Sequence, residues 1–305
     1  MNIEARKTGI ISNIQRFSLD DGPGIRTTVF MQGCNLRCIW CHNPETQPMR
    51  PAILFEESLC RDCKICISVC HNKAHYTDHN GHHILRDKCD SCGMCVEKCP
   101  GNALSMSGKD YTVTELLEIV EKDLSFYDTS GGGVTFSGGE PLLQADFVRE
   151  CLMYFKEKGI NTAVDTAGAV DAASIGKVAQ YTDLFLYDLK LMDSDKHKLY
   201  VGESNDKILY NLKKIAENGI RYYIRIPLIE VVNCDRDNTD KCISFLNELC
   251  MKPERVDLLP YHTYGIGKYK NLGISYSDNL TKPNAETINS IITAFRKAGF
   301  NVTAQ

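Results

Sequence analysis

Eleven of the fifteen cysteines in this 305-residue chain fall between Cys34 and Cys99, in three groups spaced two or three residues apart. No other feature limits the fold as much. Disulfide scaffolds are usually short exported chains, whereas thiols this close suit metal ligation, because one curled loop wraps neighbouring sulfurs around one ion or cluster. The opening stretch MNIEARKTGIISNIQRF lacks the apolar centre of an export signal. No run approaches the ~18 apolar residues of a membrane span. A reducing cytoplasm is the expected compartment, with no membrane partner. The net charge of −4 supplies no global positive field, so nucleic acid is not an expected partner either.

Cys60, Cys63, Cys66 and Cys70 recur as Cys89, Cys92, Cys95 and Cys99, each offset by 29 residues. Segment 51–107 is therefore a duplicated unit, bounded by Pro48 and Pro51 on one side and Ser107-Gly108 on the other. This divides the chain into residues 1–50, the insert 51–107 and residues 108–305.

Outside the insert, strand-like and helix-like segments alternate. Strands are expected at 25–31, 132–137, 161–166, 183–188, 221–227 and 254–260, and helices at 113–127, 143–158, 171–180, 206–218, 239–250 and 284–298. Such alternation implies right-handed crossovers and a mainly parallel sheet. Cys34, Gly138-Gly139-Glu140, Asp165-Thr166, Asp188-Lys190 and His262 fall at or just beyond strand ends. A barrel gathers its strand ends on one face, whereas a doubly wound sheet uses mainly one crevice. The expected fold is α/β, a partial (β/α)6 barrel of TIM type. Cys151, Cys242 and Cys250 fall on expected helices, as small buried hydrophobes.

The sharpest motif is Cys34-x3-Cys38-x2-Cys41, within GCNLRCIWCHNPE. Three thiolates hold three irons of a [4Fe–4S] cubane and leave the fourth open to substrate. Zinc on the same cysteines and His42 is the alternative. The motif is the signature of the radical S-adenosylmethionine (SAM) superfamily. With it, DGPGIRTTVFMQGCNLRCIWCHNPE (Asp21–Glu45), TFSGGEP (Thr135–Pro141), DTAG (Asp165–Gly168), YDLK (Tyr187–Lys190), RIPLI (Arg225–Ile229) and LLPYH (Leu258–His262) resemble, in order, the glycyl-radical-enzyme activating enzymes, which include pyruvate formate-lyase activase. Both insert copies read C-x2-C-x2-C-x3-C, the bacterial ferredoxin spacing in which each fourth cysteine ligates the other cluster. That predicts a ferredoxin-like insert with one [4Fe–4S] cluster on Cys60, Cys63, Cys66 and Cys99 and another on Cys70, Cys89, Cys92 and Cys95. Pro100 follows Cys99 as that pattern expects, but His71 follows Cys70.

The resemblance implies the rest. Cys34, Cys38 and Cys41 carry the catalytic cluster, the first of three. Trp40, Cys41, His42, Gly139, Asp188, Leu189, Lys190 and His262 line the SAM site, with the acid of the GGE turn near the SAM ammonium and Lys190 able to face its carboxylate. Asp165, Thr166 and Asp188 resemble positions that hold a monovalent cation, although protonation or Lys190 would also compensate the two acids. After RIPLI the family often continues Pro-Gly, whereas Glu230-Val231-Val232-Asn233 follows here, so that loop is expected to differ in shape. The implied activity is reductive SAM cleavage, followed by abstraction of a glycine Cα hydrogen from a large partner enzyme by the 5′-deoxyadenosyl radical, without oxygen. Flavodoxin or ferredoxin is the implied electron donor. A radical SAM enzyme that modifies peptides and a simple electron carrier are the alternatives.

Overall fold

Residues 7–277 and 279–304 are described by a computed structural model; the first six residues of the opening stretch lie outside the described residues. The expected strands form, as Arg26–Met31, Gly133–Gly138, Asn161–Thr166, Leu184–Asp188, Tyr222–Leu228 and Arg255–Pro260. They lie side by side in that order, each parallel to the next. Several are buried along nearly their whole length, as a parallel sheet covered on both faces requires.

Three further strands complete a nine-stranded, mostly parallel sheet. Val302–Ala304 adds a parallel edge beside Arg255–Pro260. Thr8–Ser18 runs antiparallel to Arg26–Met31 and carries Lys109–Thr112 on its other side, also antiparallel. Arg26–Met31 and Arg255–Pro260 are five positions apart, ~24 Å in a flat sheet. Yet His42 and His262, in the loops that follow these two strands, have ring centroids 4.5 Å apart. The sheet therefore curls strongly and brings its strand ends together.

Arg26 fastens the start of that curl. It is fully buried, and its guanidinium donates to Thr135 Oγ1 at 2.6 Å, the Val134 carbonyl at 2.7 Å and Asn161 Oδ1 at 3.0 Å. The same group reaches the Pro23 carbonyl at 3.1 Å and so folds the DGPG turn under the sheet. Gly24 lies at φ +71°, and a Cβ there would fall 2.4 Å from the Gly132 nitrogen.

Helices Ala145–Glu157, Ala172–Ala179, Asp206–Glu217, Arg236–Glu248 and Ala285–Lys297 cover the sheet near their expected places. The helix expected over 113–127 is split into Val113–Val120 and Leu124–Ser130 by the single turn Glu121–Asp123. Asp123, in that turn, is buried and accepts from Arg16 and from Thr27 Oγ1. Two short helices, Ser194–Val201 and Ile266–Leu272, were not expected. Cys151 and Cys242 are buried as expected, but Cys250 is exposed, because Arg236–Glu248 ends before it.

Segment 51–107 leaves and rejoins the sheet at one point, since Ala52–Phe55 pairs with Leu104–Ser107 in the register Ala52 to Ser107. Beyond that pair lie helices Ile65–Val69 and Met94–Glu97 and the hairpin His75–Asp78/Gly81–Ile84. The sequence repeat is also a backbone repeat. Positive φ angles occur at Asp62 and Ser91, Lys64 and Gly93, and Lys73 and Asn102, each pair 29 residues apart. The turn after Cys70 therefore matches the turn after Cys99, despite His71 in place of proline.

Candidate functional site

Strand Arg26–Met31 runs into the loop that carries Cys34, Cys38 and Cys41. Both flanks of the loop are pinned by main-chain bonds. Gly33 N donates to the Thr46 carbonyl at 2.7 Å, Arg37 N to Val201 O at 2.7 Å and Ile39 N to Tyr200 O at 3.0 Å. The unexpected helix Ser194–Val201 thus supplies the wall on which the loop rests. Each of the three sulfurs lies close enough to the other two for their charges to repel. Burial pushes the thiols of Cys34 and Cys38 up to about 12 and raises Cys41 as well, while Lys190 opposes the shift at all three. Three desolvated, converging thiols with one weakly opposing cation fit a metal cluster, because coordination removes the protons that burial otherwise retains.

Lys190 is buried, and its ammonium donates to Asp188 Oδ2. Burial works against that charge, but Asp188 and the Cys38 sulfur outweigh it and raise the lysine pKa. Asp165 accepts from Ser137 Oγ at 2.7 Å and from Arg225 Nη1 at 3.1 Å. Burial lifts Asp165 to about 6 against the pull of Arg225, so the pair is ionised at neutral pH. Arg225 also faces Asp21 at 3.9 Å. The two acids expected beside a monovalent cation thus each have a cationic side chain as partner. Thr166 turns elsewhere, donating to Glu140 Oε1 at 2.7 Å. Arg225 alternates with the buried residues of Tyr222–Leu228, and that alternation is the signal the sequence offers for it.

Glu140 of the GGE turn is buried, and its carboxylate accepts from Thr166 Oγ1, from Leu142 N at 3.1 Å and from Ala167 N at 3.1 Å. It caps the turn Pro141–Gln144 and ties it to the next strand. Gly139 has a packing reason of its own, since a Cβ there would fall 2.2 Å from the Gly33 carbonyl. Leu189 is buried and its N–H donates to the Arg225 carbonyl at 2.9 Å. Trp40 packs against the core. His42, His262 and Tyr264 form a row of rings at the exposed mouth, with neighbouring centroids 4.5 Å apart.

Two fastenings escaped the sequence. In the loop that departs from Pro-Gly, Asn233 is buried, donates to the Lys190 carbonyl at 2.9 Å and accepts from Ile229 N at 2.9 Å. Helix Ile266–Leu272 clamps the cysteine loop from above. Lys268 Nζ reaches Asn43 Oδ1 at 2.7 Å and Glu45 Oε1 at 2.6 Å, and the Tyr269 hydroxyl donates to the Cys41 carbonyl at 3.0 Å. From the same helix, Asn271 reaches Glu56 of the insert at 3.0 Å.

In the insert, Cys60, Cys63, Cys66 and Cys99 line one cavity, with Phe55 and Leu104 as its apolar wall. Cys95 feels the charges of Cys89, Cys70 and Cys92. Each group therefore joins three cysteines of one motif to the fourth of the other. The paired left-handed residues curl the backbone of both motifs in the same way. Every cysteine is free of disulfides.

The family model described as the Radical SAM superfamily matches residues 28–242. The chain is 43% identical over 296 residues to the trans-4-hydroxy-L-proline dehydratase activating enzyme of Clostridioides difficile, covering 96% of this chain and 97% of that one. It is 42% identical to the choline trimethylamine-lyase activating enzyme of Oleidesulfovibrio alaskensis, over 88% of this chain and 89% of that one. Among solved structures, a domain of a pyruvate-formate lyase-activating enzyme from Bacteroides vulgatus superposes with a TM-score of 0.50 at 37% identity, covering 57% of this chain and 99% of that one.

Proposed function

This chain belongs to the radical SAM superfamily and, within it, to the activating enzymes of glycyl radical enzymes, and we propose that it works with three [4Fe–4S] clusters. One cluster is held by Cys34, Cys38 and Cys41 at the mouth of a partial (β/α)6 barrel. The others are held in the insert by Cys60, Cys63, Cys66 and Cys99 and by Cys70, Cys89, Cys92 and Cys95. The observation that carries the insert reading is the crossing of the fourth cysteines, which puts Cys99 in the cavity of Cys60, Cys63 and Cys66.

Held by Cys34, Cys38 and Cys41, the first cluster would supply one electron to the SAM sulfonium, breaking its S–C5′ bond to leave methionine and a 5′-deoxyadenosyl radical. That radical would take a Cα hydrogen from a glycine of the partner glycyl radical enzyme, giving 5′-deoxyadenosine and the glycyl radical. The protein's part is placement. Lys190 sets a positive charge beside the three sulfurs and is itself held by Asp188 and, through its carbonyl, by Asn233. In this reading the methionyl end of SAM lies along Gly139, Asp188, Leu189 and Lys190, with its carboxylate toward the Lys190 ammonium. Its adenosyl end lies against Trp40, Cys41, His42 and His262. The insert relays single electrons from a flavodoxin or ferredoxin in a reducing cytoplasm. Among the described residues no helix is long and apolar enough to cross a membrane.

Mixing the reduced enzyme, SAM and the partner without oxygen should give a glycine-centred doublet by electron paramagnetic resonance. Deuterium placed on glycine Cα of the partner should appear in 5′-deoxyadenosine. Deuterium that arrives only from a small molecule, or from another residue type, contradicts the reading. The two curated relatives are both activating enzymes, which weighs against the peptide-modifying and electron-carrier alternatives.

A further inference from the structure

The hairpin between the two cysteine motifs carries four histidines, His75, His79, His82 and His83, with no part in the reaction described above. In its register Thr77 opposes His82 and His75 opposes Ile84, so His75 and His82 are diagonal neighbours on one face. That face looks inward. His75 is buried, and His82 lines the cavity of Cys60, Cys63, Cys66 and Cys99. His83, on the other face, pairs with Asp78 at 2.9 Å and stacks on Tyr76.

His82 Nε2 lies 3.4 Å from Cys66 Sγ and 2.9 Å from His75 Nδ1, and Phe55 meets the ring edge-on at 4.5 Å. A sulfur bound to iron has no proton and can only accept. The hydrogen of this contact must then sit on His82 Nε2, shared between Cys66 Sγ and the lone pair of His75 Nδ1. That tautomer leaves His82 Nδ1 as a bare acceptor, and this atom is the one buried without a partner. A buried lone pair without a partner is better tolerated than a buried N–H without one.

The contact breaks the symmetry of the repeat. Cys95 stands 29 residues after Cys66, and among the described residues it has no side-chain donor. The cavity that His82 lines also differs in position, because Phe55 and Leu104 wall it at the end of the strand pair away from the barrel. Ser91, beside the other group, donates to the Pro51 carbonyl at the barrel end.

We propose that His82, held by His75, donates a hydrogen bond to the Cys66 sulfur and raises the reduction potential of the outer insert cluster above that of the inner one. The inference rests on the two-cluster reading of the insert. A donor on a ligand sulfur stabilises the more negative, reduced state. The outer cluster is thereby the one that fills first from a protein donor, and His82 is a positioning residue for electrons.

The test is a redox titration of the fully reconstituted chain, followed by electron paramagnetic resonance. His82→Leu should lower the outer potential so that, at a fixed potential, the reduced-to-oxidised ratio falls about tenfold, ~59 mV for a one-electron couple. His82→Gln, which retains an N–H donor, should recover part of the shift. His75→Phe should give a smaller fall, and His83→Ala none. Wild-type protein carrying 15N-histidine provides a reading that needs no variant, a nitrogen coupling at the higher-potential cluster alone. An unchanged potential in His82→Leu at about twelve irons per chain overturns the donor role and leaves the two-cluster reading standing. Absence of the 15N coupling does the same. Wild-type protein that retains only about four irons, or zinc on Cys66, His75 and His82, overturns both.

Discussion

The cysteines of the barrel and those of the insert are held in opposite ways. Cys34, Cys38 and Cys41 sit in a loop whose backbone is tied to Thr46, Gln47, Tyr200 and Val201 and lies against a large apolar core. The insert's apolar cluster is small, built on Ile53, Cys95 and Leu104, and Cys60, Cys63 and Cys92 are exposed. In the barrel the fold comes first and the chelate is mounted on it. In the proposed two-cluster reading the insert's chelates stand in for the missing core, since so short a segment buries too little apolar surface to offset its chain entropy. Loss of iron should therefore unfold the insert but spare the fold of the barrel.

The largest effect expected from this contrast is on catalysis. Replacing Cys34, Cys38 and Cys41 together with alanine should abolish SAM cleavage and lower iron from about twelve to about eight per chain, with the barrel still folded. Loss of the native circular dichroism spectrum in this variant would break the contrast, because the loop would then be holding the barrel together. Next comes iron removal. Anaerobic chelation should raise amide exchange across 60–99 on the order of a thousandfold, while the strands Gly133–Gly138 and Leu184–Asp188 keep their protection. Equal loss of protection in both regions is the outcome that contradicts it.

A single insert cysteine should separate electron supply from chemistry. Cys92 is exposed and belongs to the group of Cys70, Cys89 and Cys95. Cys92→Ala should lose most turnover with a flavodoxin or ferredoxin donor but retain much of it with dithionite. Equal loss with both donors at full occupancy of the first cluster contradicts a relay role.

The same contrast decides what the sequence disclosed. The parallel strands announce themselves because both faces are buried, so segment 184–187 reads as an unbroken apolar run and Arg26–Met31 as β-branched and apolar residues after one arginine. Thr8–Ser18 was missed because it is exposed over much of its length and its ISNIQRF alternates without a clear period. Ser194–Val201 and Ile266–Leu272 have barely two turns each and are rich in lysine, so no apolar stripe marks them. The cysteines are legible because ligation demands local spacing. Arg225, Asn233, Lys268 and His82 are not, because their partners at Asp165, Lys190, Glu45 and Cys66 lie far away in the chain and only the folded sheet brings them together. The cap made by Glu140 is hidden for a related reason: two of the three donors to which its oxygens are committed, Thr166 and Ala167, lie on the next strand and just after it.

That commitment gives the smallest effect, and one confined to the barrel. Burial pushes Glu140 up to about 7 from an ordinary 4.5, with Thr166, Leu142 and Ala167 pulling the other way. A carboxyl raised by folding stabilises the native state most when both states are protonated, below pH 4.5. The stabilisation is lost as pH climbs through about 7, by ~3 kcal/mol in all. Denaturant unfolding of iron-free protein at a series of pH values should show this slope, because the insert no longer contributes a transition. Glu140→Gln keeps the site neutral at every pH and should flatten that part of the curve. The readout is the difference between the two curves, which carries Glu140 together with its charge repulsion from Asp165. An identical slope in the variant means that the three donors hold Glu140 ionised throughout, and the acid then acts as a fixed charge and not as a proton carrier.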